Sequence, residues 1–306
     1  MSDKPDIPAE DSVKVESKEH DRGESSIEVD EEKLPSRAAA VHEQIRMEGE
    51  KELERDWLAL LLSALAAGLS IGASLMAKGI FHARLPDDPS RFFIENIGYT
   101  FGFIIVIMAR QQLFTENTVT AVLPIMQKPT PKNFIILFRL WGIVLLGNLI
   151  GTGLAALAFI YMPLFDEETR AAFTELSQEV MHNSPGEMFA NGILAGWIIA
   201  TMVWMFPSSG AAKIWVIVLM TYLVGICDLT HIVVGSVEIL YLVFTGAIPW
   251  HAFIYPFAIP TLAGNIIGGT FIFALISHAQ IRNDMSDKAK AERLKLQKEA
   301  EKRSKS

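Results

Sequence analysis

The sequence predicts an all-α polytopic membrane protein: six transmembrane spans forming two inverted three-span repeats, with spans two and five broken. Three observations carry this. Of the 62 charged residues, 41 lie before Trp57 or after His278, while half of the 306 residues are hydrophobic. The chain between those limits runs in apolar stretches of about 20 residues or more, the length that crosses a bilayer. A short motif also recurs, GNLIGT from Gly147 and GNIIGGT from Gly264.

Taken in order, residues 1–39 are rich in Asp, Glu, Lys and Ser without apolar periodicity, which predicts a disordered acidic cytoplasmic tail. Residues 40–56 predict a cytoplasmic helix with Val41, Ile45 and Leu53 loosely on one side. The transmembrane domain spans 57–278, with apolar units at 57–81, 92–126, 134–162, 188–206, 211–244 and 252–276. Residues 279–306 form a charged cytoplasmic tail. The first 50 residues hold no apolar core of a signal peptide. Cys227 is the single cysteine, so no intrachain disulfide is possible.

Orientation follows from the loop charges. Lys128, Lys132 and Lys213 lie on one side with a C-terminal tail carrying nine further Lys or Arg. The other side shows Arg84, Arg91 and Arg170, and its longest loop is acidic. The positive-inside rule then puts both termini in the cytoplasm.

Two units are too long for one crossing. Residues 92–126 and 211–244 are 35 and 34 residues. At 1.5 Å per residue each would run about 50 Å through a hydrocarbon layer of about 30 Å. Each carries polar residues, ARQQLFTENT at 109–118 and CDLTHIVVGS at 227–236. A break at that depth is tolerated only inside protein or along a cavity. The GN motifs are 117 residues apart, and that offset carries Phe114 onto His231 and Arg110 onto Cys227. Each repeat then holds three spans. An odd number inverts the second copy, and such repeats place their substrate path at the interface between copies.

Within this frame the polar residues are candidates. The GN motifs read as small-residue helix packing, with Asn148 and Asn265 as substrate contacts or supports of the break loops. His231 is either a functional ionisable group or a histidine bonded to a backbone carbonyl. Asp228 either pairs with Arg110 or stands in the pore, and Arg110 likewise. Glu238 reads as an interfacial residue. A metal centre from Asp228, His231 and Glu238 lacks a second histidine, a thiolate cluster and an HExxH pattern. The expectation is no metal, no cofactor, no nucleic acid and no enzymatic activity.

The chain resembles the formate/nitrite transporter family over roughly residues 40–280. The resemblance rests on LFT at 113–115, GNLIG in span three, the GILA and VWM pattern at 192–205, His231 in span five, and GNIIGG in span six. It implies an aquaporin-like protomer with its own pore, a homopentamer in the bacterial inner membrane, and passage of a small monovalent anion or its conjugate weak acid. The acidic N-terminal extension looks like that of a bacterial branch apart from the typical formate channels. By resemblance, His231 faces Thr115. Hydrophobic gates fall at Leu113, Phe114, Tyr99, Phe103 and Val224. The anion takes up a proton near His231 and passes as a neutral acid, which avoids the desolvation penalty of a bare charge.

Some positions depart from the family pattern. Arg110, Gln111 and Gln112 precede Leu113, and Glu116 follows Thr115, where a helix-start carboxylate suits the dipole. A span-four asparagine is Gly196, an outer lysine falls near Val180 with His182 close by, and Thr230 with Asp228 replaces an acid beside the histidine. Arg110, Gln112, Glu116 and Asp228 are therefore atypical pore candidates. The alternative reading is a non-conducting scaffold or sensor of the same fold, its pore plugged by Arg110 and the glutamines.

Overall fold

The computed structural model describes residues 37–283, so the predicted tails lie largely outside the described residues. Helix α1 (Arg37–Glu54) starts three residues before the predicted boundary. Asp56 then caps α2 (Trp57–Arg84) by accepting from the Leu58 and Ala59 amides. Next come α3 (Pro89–Met108), α4 (Phe114–Thr120), α5 (Val122–Gln127), α6 (Pro131–Tyr161), α7 (Glu167–Met181), α8 (Pro185–Ser209), α9 (Lys213–Ile226) and α10 (Ile232–Phe244). The last stretch opens with α11 (Trp250–Ala252). It continues through wide π-type turns at Phe253–Ala258 and Ile267–Ala274 on either side of α12 (Ile259–Ile266).

Among the described residues, five stretches are long and apolar enough to cross a membrane: Trp57–Arg84, Pro89–Met108, Pro131–Tyr161, Pro185–Ile226 and Trp250–Asn283. The fourth has 42 residues. Unbroken, it would run about 60 Å, twice a bilayer core. Gly210, at φ +48°, interrupts it between α8 and α9, a conformation that glycine adopts without a Cβ penalty. The shorter α10 is apolar apart from Ser236 and Glu238 and buried along nearly its whole length.

Both overlong units are broken as predicted. Residues 109–113 separate α3 from α4, and residues 227–231 separate α9 from α10. The long helices pack in matching pairs, α2 along α6 and α8 along α12. Small residues allow the close approach: a Cβ on Gly151 would lie 2.3 Å from the Leu65 carbonyl oxygen. Leu62, Ile135, Phe138, Trp215, Leu219 and Phe271 are exposed on the outside, as a lipid-facing surface requires. Arg84 bonds to Asp166 and Glu168, and Arg91 to Asp87, so these loop arginines are neutralised by local acids.

Candidate functional site

The site is built by the two breaks. Arg110 (φ +53°) and Asp228 (φ +48°) are the described non-glycine residues with positive φ, and they occupy equivalent places. The amides of Gln111 and Leu229 reach back to the carbonyls of Val106 and Val224, at 2.9 and 3.1 Å. Those of Arg110 and Asp228 reach Ile107 and Gly225, at 3.2 and 3.1 Å. The loops are therefore one structure used twice.

Their register corrects the sequence alignment by one residue. Arg110 corresponds to Asp228, not Cys227, and Leu113, the N-cap of α4, corresponds to His231, the N-cap of α10. The stretch between break and asparagine is one residue shorter in the second copy, so an offset taken from the asparagines slips at the loops.

The asparagines hold the loops. Asn148 accepts from the Phe114 amide at 2.9 Å and donates to the Ala64 and Gln112 carbonyls at 2.8 Å each. Asn265 accepts from the Ile232 amide at 2.9 Å and donates to the Gly192 and Thr230 carbonyls at 2.9 and 3.1 Å. Both N–H donors and the oxygen of each amide are bonded to backbone, so Asn148 and Asn265 clamp the breaks. Gly196 has a packing reason: a Cβ there would lie 2.3 Å from the Asn265 carbonyl oxygen.

The clamped loops bring Thr115 and His231 together. Thr115 Oγ1 lies 2.8 Å from His231 Nε2, and both residues are buried. The Val234 amide donates to His231 Nδ1 at 3.3 Å, capping α10 with the ring. A nitrogen that accepts carries no proton, so this geometry describes the neutral imidazole with its proton on Nε2, donated to Thr115. Protonating Nδ1 removes the cap. Phe103 stands edge-on to the His231 ring at 5.2 Å between centroids, with Tyr99 5.6 Å beyond Phe103. Leu113, Phe114 and Val224 are fully buried nearby, Phe114 against Trp141. The apolar candidates thus surround or adjoin the contact.

A cavity of about 350 Å³ has His231 in its wall. Lys78, Tyr99, Glu179, Val224, Asp228 and Glu238 also line it. Glu238, expected at an interface, is 6% exposed in the protomer and faces this vestibule. Arg110 is exposed, lies outside the cavity wall, and forms no ion pair with Asp228 among the described residues. Gln112 bonds to Asn117 at 2.9 Å, and Glu116 sits in the first turn of α4. Both support the first break and neither lines the vestibule.

Sequence reasoning missed Lys78 and Glu179. Lys78 lies inside an apolar span, where a lone lysine is itself the available signal. It also missed His82, which contacts Glu95 at 2.8 Å and Glu175 at 3.3 Å and ties α2, α3 and α7 together.

The sequence profile of the formate/nitrite transporters matches residues 39–279. The chain belongs to the formate/nitrite transporter family. It is 70% identical over 282 residues to inner membrane protein YfdC of Escherichia coli strain K12, covering 92% of this chain and 91% of that one. It is 26% identical over 231 residues to formate-nitrite transporter 2 of Toxoplasma gondii, 70% of this chain and 49% of the relative. With formate channel FocA of Haemophilus influenzae it shares 28% identity over 153 residues, 45% of this chain and 51% of the relative. A solved pentameric formate channel with formate bound superposes at TM-score 0.63 with 22% identity, covering 72% of this chain and 95% of that one. A formate/nitrite transporter family ion channel superposes at 0.60 with 21% identity, covering 78% and 94%. The fold is that of the formate/nitrite transporter family, and membership sets the chain among transporters rather than enzymes.

Proposed function

We propose that this protein is an inner-membrane pore for a small monovalent anion or its conjugate weak acid, one pore per protomer of a homopentamer. Its two repeats are inverted and both termini face the cytoplasm. The observation that carries the reading is the Thr115–His231 contact. It joins the starts of two half-helices, inside an apolar collar, at the wall of a polar vestibule. An anion entering the collar bare loses its hydration with little in return, whereas the neutral acid does not. A proton reaching the anion at this point therefore lowers the barrier. The Nε2–H and the Thr115 hydroxyl form one hydrogen-bonded pair that can hand on such a proton or hold the acid's oxygens. The inner-membrane name of the E. coli relative and the pentameric assembly of the solved formate channel support placement and assembly.

The test is uptake into proteoliposomes of formate, nitrite, acetate and lactate at two pH values. Wild type is expected to pass at least one of them faster at the lower pH. His231→Asn is expected to flatten that dependence at least tenfold while the pentamer stays intact on native mass spectrometry. Unchanged, pH-dependent flux in His231→Asn rejects the proton step; no flux of any anion in wild type rejects the pore.

A further inference from the structure

The vestibule holds opposite charges that do not meet. Lys78, on α2, is 8% exposed and lines the cavity, yet it forms neither a hydrogen bond nor an ion pair among the described residues. Glu238, on α10, is 6% exposed, lines the same cavity and is equally without a hydrogen bond or ion pair. Glu179 from α7, Asp228 from the second break and Glu187 from the first turn of α8, which caps that helix by accepting from the Ser184 amide, add three further carboxylates. Buried charges of opposite sign are costly apart and ordinarily close into a pair.

Packing fixes the backbones that carry them. A Cβ on Gly98 would lie 2.5 Å from the Lys78 amide nitrogen, so α3 presses on α2 at that residue and blocks a shift of its backbone. One turn before Glu238, a Cβ on Gly235 would lie 2.7 Å from the Phe257 ring, which fixes α10 in the same way. The space between the charges is large. At roughly 30 Å³ per water, 350 Å³ corresponds to about ten waters.

We propose that this vestibule binds a small zwitterion, its carboxylate on Lys78 and its ammonium on Glu238, with Glu179 and Asp228 deepening the negative end. A plain anion satisfies Lys78 and leaves four carboxylates facing it. A plain cation satisfies the carboxylates and meets the lysine. A molecule with both ends answers both, and three surplus carboxylates favour the ammonium end. The inference goes beyond the pore reading, because it concerns occupancy of the vestibule and does not require passage through the collar.

The test is calorimetric titration of the purified full chain in lipid nanodiscs at neutral pH with three probes: glycine, acetate and methylammonium. Glycine is expected to bind at least tenfold tighter than either singly charged probe. Lys78→Met and Glu238→Gln should each weaken glycine at least tenfold, with Lys78→Arg restoring most of the loss. Lys78→Met should also lose acetate, and Glu238→Gln should lose methylammonium but keep acetate. Acetate binding as tightly as glycine makes the vestibule an anion site, and methylammonium doing so makes it a cation site; either overturns the inference. So does the absence of binding, or full glycine affinity in both neutralised variants. If Lys78→Met fails to assemble, Glu238→Gln and Lys78→Arg decide alone. Formate flux from the same preparation is read separately, so a pore without glycine binding rejects only this inference.

Discussion

At the scale of single residues, the asparagines carry more of the site than the histidine they frame. Asn148 bonds backbone groups of α2, the first break and α4, and removing its amide strands the Phe114 N–H and the Gln112 carbonyl, while the Ala64 carbonyl keeps its place in the α2 helix. Each stranded buried group costs about 1–3 kcal/mol. Asn148→Ala is therefore expected to destabilise the protein by roughly 3 kcal/mol or more, read as a lowered melting temperature in detergent, and to abolish flux with the break. His231 was visible in the sequence because an ionisable group stood alone in an apolar run. Its actual constraint was not visible: Nδ1 spends its lone pair on the Val234 amide, which only the local turn reveals. Lys78 was missed for a similar reason. An apolar span shows that a lysine is present but not which helix face looks into a cavity.

At the scale of elements, the break positions could be read from length against bilayer thickness, and their register could not. One residue fewer between loop and asparagine shifts every pairing, and no composition or periodicity marks the deletion. Close helix contact makes its own prediction. Gly196→Ala puts a methyl against the Asn265 backbone, and overpacking of this kind costs about 1–3 kcal/mol. Thermal unfolding should shift down by several degrees, more than for Gly142→Ala, where nothing lies within 4 Å of the added carbon. Helix α1 is held differently. Ile45 packs with Val119 and Leu123, and His42 Nε2 lies 3.0 Å from His278 Nδ1. Burial first, then the neighbouring His278, hold His42 below its ordinary value of 6.5. The docked helix therefore favours neutral His42, so its docking is fully supported above about pH 6.5 and weakens as the pH falls below it. Limited proteolysis within α1 should accelerate between pH 7.5 and pH 5, and His42→Asn should lose that dependence.

At the scale of the whole molecule, the charge separation between tails and spans announced a membrane protein, and a repeated motif announced two similar halves. What the pattern could not supply was the vestibule, whose lining comes from α2, α3, α7, α8, α9, α10, the second break and the π-type turn at Phe253–Ala258, converging only after packing. The proposed assembly makes a prediction at this scale. Native mass spectrometry from lipid nanodiscs should give five copies of the 33.9 kDa chain, and a monomer or dimer as the sole species would reject the pentamer.

The two loop residues at positive φ have an electrical consequence. Glycine would suit either position, yet one copy carries Arg110 and the other Asp228. In an inverted repeat these positions look toward opposite faces of the membrane. The backbone is then alike in both directions and the charge is not, which is the construction of a diode. Uptake and release in oriented proteoliposomes under equal and opposite gradients should differ in rate, and exchanging the pair as Arg110→Asp with Asp228→Arg should reverse the faster direction.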